Sequence, residues 1–157
     1  MVGFGAYCQP LNGSVDSYAS VVHASDDRSR MPNTITRYED GIVIVDREPG
    51  FIADPSSIAV AWEMIAEECR QNNCKRVLIL GSVDIAPLDM ADVFEAGIGA
   101  SSIADGTRLA FSLSDFQPDE STHFFQTVAL NRGTVAKFFD DEAEAREWLM
   151  EDGQSDL

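Results

Sequence analysis

The stretch Arg76-Val77-Leu78-Ile79-Leu80-Gly81 constrains this chain more than any other. It is apolar without alternation and is closed by a glycine. A strand with one face in water alternates apolar and polar residues, so an unbroken run describes a strand covered on both faces. Such cover needs helices packed on the sheet, and the flanking sequence supplies them. Upstream, Asp54 caps and Pro55 opens a helix in which Ile58, Ala61, Trp62, Ile65 and Cys69 recur at helical spacing, with Asn72-Asn73 as a left-handed exit. Downstream, Pro87 opens a second helix with Leu88, Met90, Ala91, Val93, Phe94 and Ile98 as its apolar residues and a flexible end, Gly97-Ile98-Gly99-Ala100.

The same alternation extends in both directions. Residues 35–39 and 42–47 are short strand-like runs joined by Asp40-Gly41, a pair that tolerates the positive φ of a hairpin turn, and Pro49-Gly50 breaks the second run. Residues 109–113 form a further strand. A helix over 120–130 follows, ended by Asn131-Arg132-Gly133, then a strand over 134–139. Asp141 and Glu144 form a capping-box variant for a last helix with Ala145, Trp148 and Leu149 as its stripe and Gly153 as its end. The order ββαβαβαβα predicts an α/β fold: a mixed, mostly parallel sheet with an N-terminal antiparallel hairpin. Residues 1–34 are rich in Ser, Asn, Gly and Asp and show no sustained period. They are read as a flexible tail, with the domain over 35–153 and a short C-terminal tail over 154–157.

Charge and motifs exclude several functions. Twenty-seven acidic residues against eleven basic ones give a formal net charge of −16, with no basic cluster to meet phosphates, so no nucleic acid and no anionic membrane surface is expected. No run approaches the length of a membrane span, so no stable membrane insertion is expected. Cys8, Cys69 and Cys74 do not make a disulfide framework and fit a reducing, cytoplasmic setting. No His or Cys near Cys69 and Cys74 completes a zinc site. The phosphate-loop, dinucleotide, nucleophile-elbow and zinc-helix motifs are all missing, so no cofactor, no metal and no catalytic residue is assigned. His123, Trp62, Phe124, Phe125 and Trp148 are read as packing residues, and Cys69 as core rather than nucleophile.

With these elements placed, the chain resembles the SpoIIAA-like branch of the STAS domains over about residues 35–150. Four features carry the resemblance: the entry Tyr38-Glu39-Asp40-Gly41-Ile42-Val43-Ile44-Val45, the Pro49-Gly50 step, the central strand Arg76-Val77-Leu78-Ile79-Leu80, and the ending. The ending reads Ala136-Lys137-Phe138-Phe139-Asp140-Asp141-Glu142-Ala143-Glu144-Ala145-Arg146-Glu147-Trp148-Leu149. The resemblance implies a non-catalytic regulatory or protein-interaction domain with a protein partner, and leaves oligomerisation open. Signalling members carry a phosphorylated serine at the start of the helix after the central strand. Here that stretch is Asp84-Ile85-Ala86-Pro87-Leu88-Asp89-Met90-Ala91, without a hydroxyl, so no serine phospho-switch is expected. Asp89 there suits a helix N-terminus for dipole reasons alone.

In open α/β sheets ligands bind beyond the carboxyl ends of the parallel strands. Those ends carry Ser82 and Asp84 in one segment and Ser114 and Asp115 in the next, a polar rim with an acidic pair. The same residue types also favour ordinary turns. Met90 and Phe94 join them as candidates on the second helix. The alternative function is a carrier or sensor of a small apolar molecule or lipid, since the SpoIIAA-like branch is similar in fold to CRAL-TRIO carriers. A deep apolar pocket behind the second helix favours that alternative, and a closed core there favours protein interaction alone.

Overall fold

The computed structural model describes residues 31–151. Of the segments read as tails, residues 1–30 and 154–157 lie outside the described residues. Strands β1 (Thr34–Glu39) and β2 (Ile42–Arg47) form the expected hairpin, and its turn residues Asp40 and Gly41 have φ of +52° and +80°. Positive φ at both positions is what a type I′ turn requires. Thr34, placed in the tail from sequence, is the first residue of β1 and pairs with Arg47.

A two-residue strand, β3 (Ile52–Ala53), leads into α1 (Pro55–Gln71). Asp54 caps α1 by accepting from the Ser57 backbone N–H at 2.8 Å, while the Ser57 hydroxyl accepts from the Asp54 N–H. Asn73, with φ of +48°, turns the chain out of the helix. Then come β4 (Arg76–Ser82), the short β5 (Asp84–Ile85), α2 (Met90–Ala100), β6 (Arg108–Ser114), α3 (Glu120–Leu130), β7 (Val135–Phe138) and α4 (Glu142–Met150). The sheet has five strands in the order β1-β2-β4-β6-β7, with β1 antiparallel and the others parallel. The fold is therefore the mixed, mostly parallel α/β architecture read from the sequence. β3 and β5 add a separate two-stranded parallel pair that periodicity did not reveal.

Alternation along each strand sorts the core into two layers. Val43, Val45, Val77, Ile79, Leu109 and Phe111 face α1, α2 and α3, where Trp62, Ile65, Val93 and Phe125 meet them. Ile42, Ile44, Leu78, Leu80 and Ala110 face α4 through Ala145, Trp148 and Leu149. The apolar run of β4 is thus covered on both sides.

Three details differ from the expectations. Helix α2 starts at Met90, not Pro87, because Asp89 and Asp92 form a reciprocal capping box at 2.9 and 3.0 Å. The end of α2 is packed rather than flexible. A Cβ on Gly97 would lie 2.7 Å from Val128, and one on Gly99 2.5 Å from Trp62, so these glycines let α2 approach α3 and α1. Asp141 caps α4 through the Ala143 and Glu144 N–H groups at 2.6 and 3.2 Å, with no return bond from the Glu144 side chain.

Candidate ligand cavity at the strand ends

A cavity of ≈ 320 Å³ lies beyond the carboxyl ends of the parallel strands, on the face covered by α1, α2 and α3. Its floor follows from register. Val45, Ile79, Phe111 and Phe138 stand side by side on neighbouring strands, and the last three line the cavity. The next residues on that face are Arg47, Gly81 and Leu113, again in one row across the sheet. Arg47 and Leu113 line the cavity, whereas Gly81 between them, with φ of +105°, has the Arg47 backbone where a Cβ would stand.

Aromatic rings form much of the wall. Phe111 and Phe138 stack at 4.5 Å, Phe116 and Phe138 at 5.2 Å, Trp62 and Phe125 at 6.3 Å, and Phe111 meets Phe125 edge-on at 5.9 Å. Ile58 of α1 and Val93 of α2 complete the helical side. The β3–β5 pair forms part of the rim, where Phe51 accepts from the Asp84 N–H at 3.0 Å and Ala53 from the Ala86 N–H at 3.1 Å through their carbonyls. Ile85 and Asp119, both lining residues, are exposed, so the cavity opens to solvent at that side.

Polar groups in the lining are few. Arg47 is 5% exposed, and burial pulls its guanidinium down to about 10, which leaves it charged at neutral pH. Its Nη1 donates to Thr34 Oγ1 at 2.8 Å, and its Cζ lies 4.1 Å from the centre of the Phe51 ring. Asp119 caps α3, and its Oδ1 accepts from the Thr122 N–H at 2.9 Å and from the Thr122 hydroxyl at 3.0 Å. Those bonds hold its carboxyl below the ordinary range. The Trp62 indole N–H is buried with no hydrogen-bond partner among the described residues.

The candidates singled out from the sequence surround this cavity without lining it. Ser82 and Ser114 are paired neighbours at the ends of β4 and β6 and share the face of Leu78 and Leu80, away from the cavity. Asp84 is exposed in β5, and Asp115 is exposed with φ of +59°. No hydrogen bond joins Asp84 to Asp115 among the described residues. Asp89 is the α2 cap. Met90 is exposed, and Phe94 lies on the outside of α2, stacked on Phe124 at 6.5 Å with Arg132 5.4 Å above its ring. The lining residues Val83, Ile85, Leu113 and Phe116 are each one position away from a candidate. Polar residue type led to the right edge but to the wrong strand face, and strand parity carried from Val77 and Ile79 separates the two faces.

Among the described residues no cluster of His, Cys, Asp or Glu is arranged to hold a metal ion, and no helix is long and apolar enough to cross a membrane. The fold and cavity define a class, an α/β domain with an apolar strand-end cavity. No family model, curated protein or solved structure matches the chain.

Proposed function

We propose that this chain is a non-catalytic binding domain of SpoIIAA-like type, a carrier or sensor whose occupant is a small apolar molecule. The observation that carries this reading is the ≈ 320 Å³ cavity with aromatic walls. Its volume falls at the lower end of the roughly 300–1,000 Å³ typical of small-molecule sites, which are concave, mostly apolar and supplied with a few polar groups. No serine phospho-switch is included, because Asp89 stands at the start of α2 with its carboxylate committed to the cap. Protein interaction remains the second reading, supported by exposed Met90 and Phe94 on α2.

Binding of the neutral reporter N-phenylnaphthylamine tests the proposal. Wild-type protein should give saturable, single-site fluorescence enhancement. Leu113→Trp, which fills the cavity from its floor, should abolish the enhancement while the protein remains folded by circular dichroism. A reporter that finds no saturable site in the wild type refutes the reading.

A further inference from the structure

Arg47 is the one cationic side chain in a lining that is otherwise almost wholly apolar. Among the described residues it has no carboxylate partner, and its only hydrogen bond is the one to Thr34 Oγ1. A desolvated charge left in this state is unfavourable, because a single neutral acceptor and a ring face replace only part of its hydration. Structural arginines that are buried this deeply are ordinarily paired. The rest of the wall makes the same demand from the other side: apolar surface around a cavity is best satisfied by an apolar body.

We infer that the cavity takes a small monocarboxylate, with its carboxylate on the Arg47 guanidinium and its apolar body along the aromatic floor toward Phe138. The inference rests on the reading of the cavity as a ligand site and adds the chemical class of the ligand. A planar carboxylate matches the planar fork of a guanidinium, which can donate two parallel hydrogen bonds to it. Thr34 and Phe51 fix the guanidinium from one edge and one face, leaving other N–H groups for the ligand. From β2, which bears Arg47, to β7, which bears Phe138, the floor crosses three interstrand spacings, roughly 14 Å. That length accommodates a medium-chain or aryl-alkyl acid. Inorganic anions would leave the aromatic wall without a partner.

Displacement of N-phenylnaphthylamine by octanoate and by its neutral counterpart octanol tests the inference at neutral pH. Octanoate should displace the reporter at about tenfold lower concentration than octanol, the scale of one charge-assisted hydrogen bond in a desolvated site. Arg47→Met should erase that preference while leaving octanol unchanged. If Arg47→Met does not fold, Arg47→Lys keeps the cation, loses the fork and should narrow the gap. Equal potency of octanoate and octanol in the wild type, or a preference that survives both substitutions, overturns the carboxylate assignment while the apolar-ligand reading stands. Failure of the reporter itself to bind overturns both.

Discussion

Gly81 shows how one residue sets the geometry of the strand ends. Its φ is +105°, and a Cβ there would lie 2.0 Å from the Arg47 carbonyl oxygen. Backbone conformation and close approach therefore both demand glycine. Gly106 has φ of +79° but nothing within 4 Å of its would-be Cβ. Gly106→Ala should thus cost only the conformational part, about 1 kcal/mol. Gly81→Ala should cost on the order of 2–4 kcal/mol, strain plus overpacking. Urea unfolding of the two variants separates the contributions, and similar midpoints would show that the Arg47 backbone yields to the new methyl. Cys69 makes a pH statement. Burial, with smaller contributions from Cys74 and Glu68, pushes its thiol from 9.0 up to about 12. The unfolded chain releases this proton first, so the contribution to stability is complete below pH 9 and declines as pH rises from about 9 toward 12. Cys69→Ala should flatten the alkaline slope of stability measured over that window. An unchanged slope would locate the loss in other groups.

At the scale of elements, α2 sets propensity against packing. Replacing Gly97 by Ala favours an isolated helix by about 1 kcal/mol. The methyl would meet Val128 at 2.7 Å, and overpacking costs about 1–3 kcal/mol. Gly97→Ala should therefore lower stability by about 1 kcal/mol, and a raised urea midpoint would show that α2 and α3 can move apart. Among the described residues, helix α4 is the sole helical cover of the opposite face, held by Ala145, Trp148 and Leu149. The guanidinium of Arg108 lies 4.1 Å and the Lys137 ammonium 4.9 Å from the Trp148 ring centre. Trp148→Ala should cost on the order of 3–5 kcal/mol, and a urea midpoint near wild type would show that the indole does not anchor α4. Helices α1 and α4 were legible because each has an apolar stripe and a start signal: Pro55 after Asp54, and Asp141 with Glu144; the Asp119 cap of α3 was not read from the sequence. The two-residue strands β3 and β5 are too short to carry a period. Pro87 misplaced the start of α2 because a proline suits a first turn and the segment just before it equally well. The cavity was half legible. Its edge follows from topology, but its lining is made of Phe and Trp residues that any core also uses, and Arg47 sits within an otherwise ordinary strand.

For the whole molecule, a formal charge of −16 means that compaction brings like charges together. The described surface ion pairs, such as Arg37 with Asp46 at 3.6 Å and Arg146 with Glu142 at 2.8 Å, are exposed or half-exposed and contribute little. Raising ionic strength from about 0.01 M to 0.15 M, which shortens the Debye length from about 30 to 8 Å, should therefore raise the melting midpoint. A falling midpoint would mean that specific pairs outweigh the general repulsion. The backbone pairing of β3 with β5 bears on a different timescale. That stretch of the rim is held by main-chain groups, which every amino acid but proline supplies in full. Side chains at 52, 53, 84 and 85 can therefore be exchanged over generations while the doorway keeps its outline. A lineage of such chains is free to change what it admits one residue at a time, without first having to rebuild the frame.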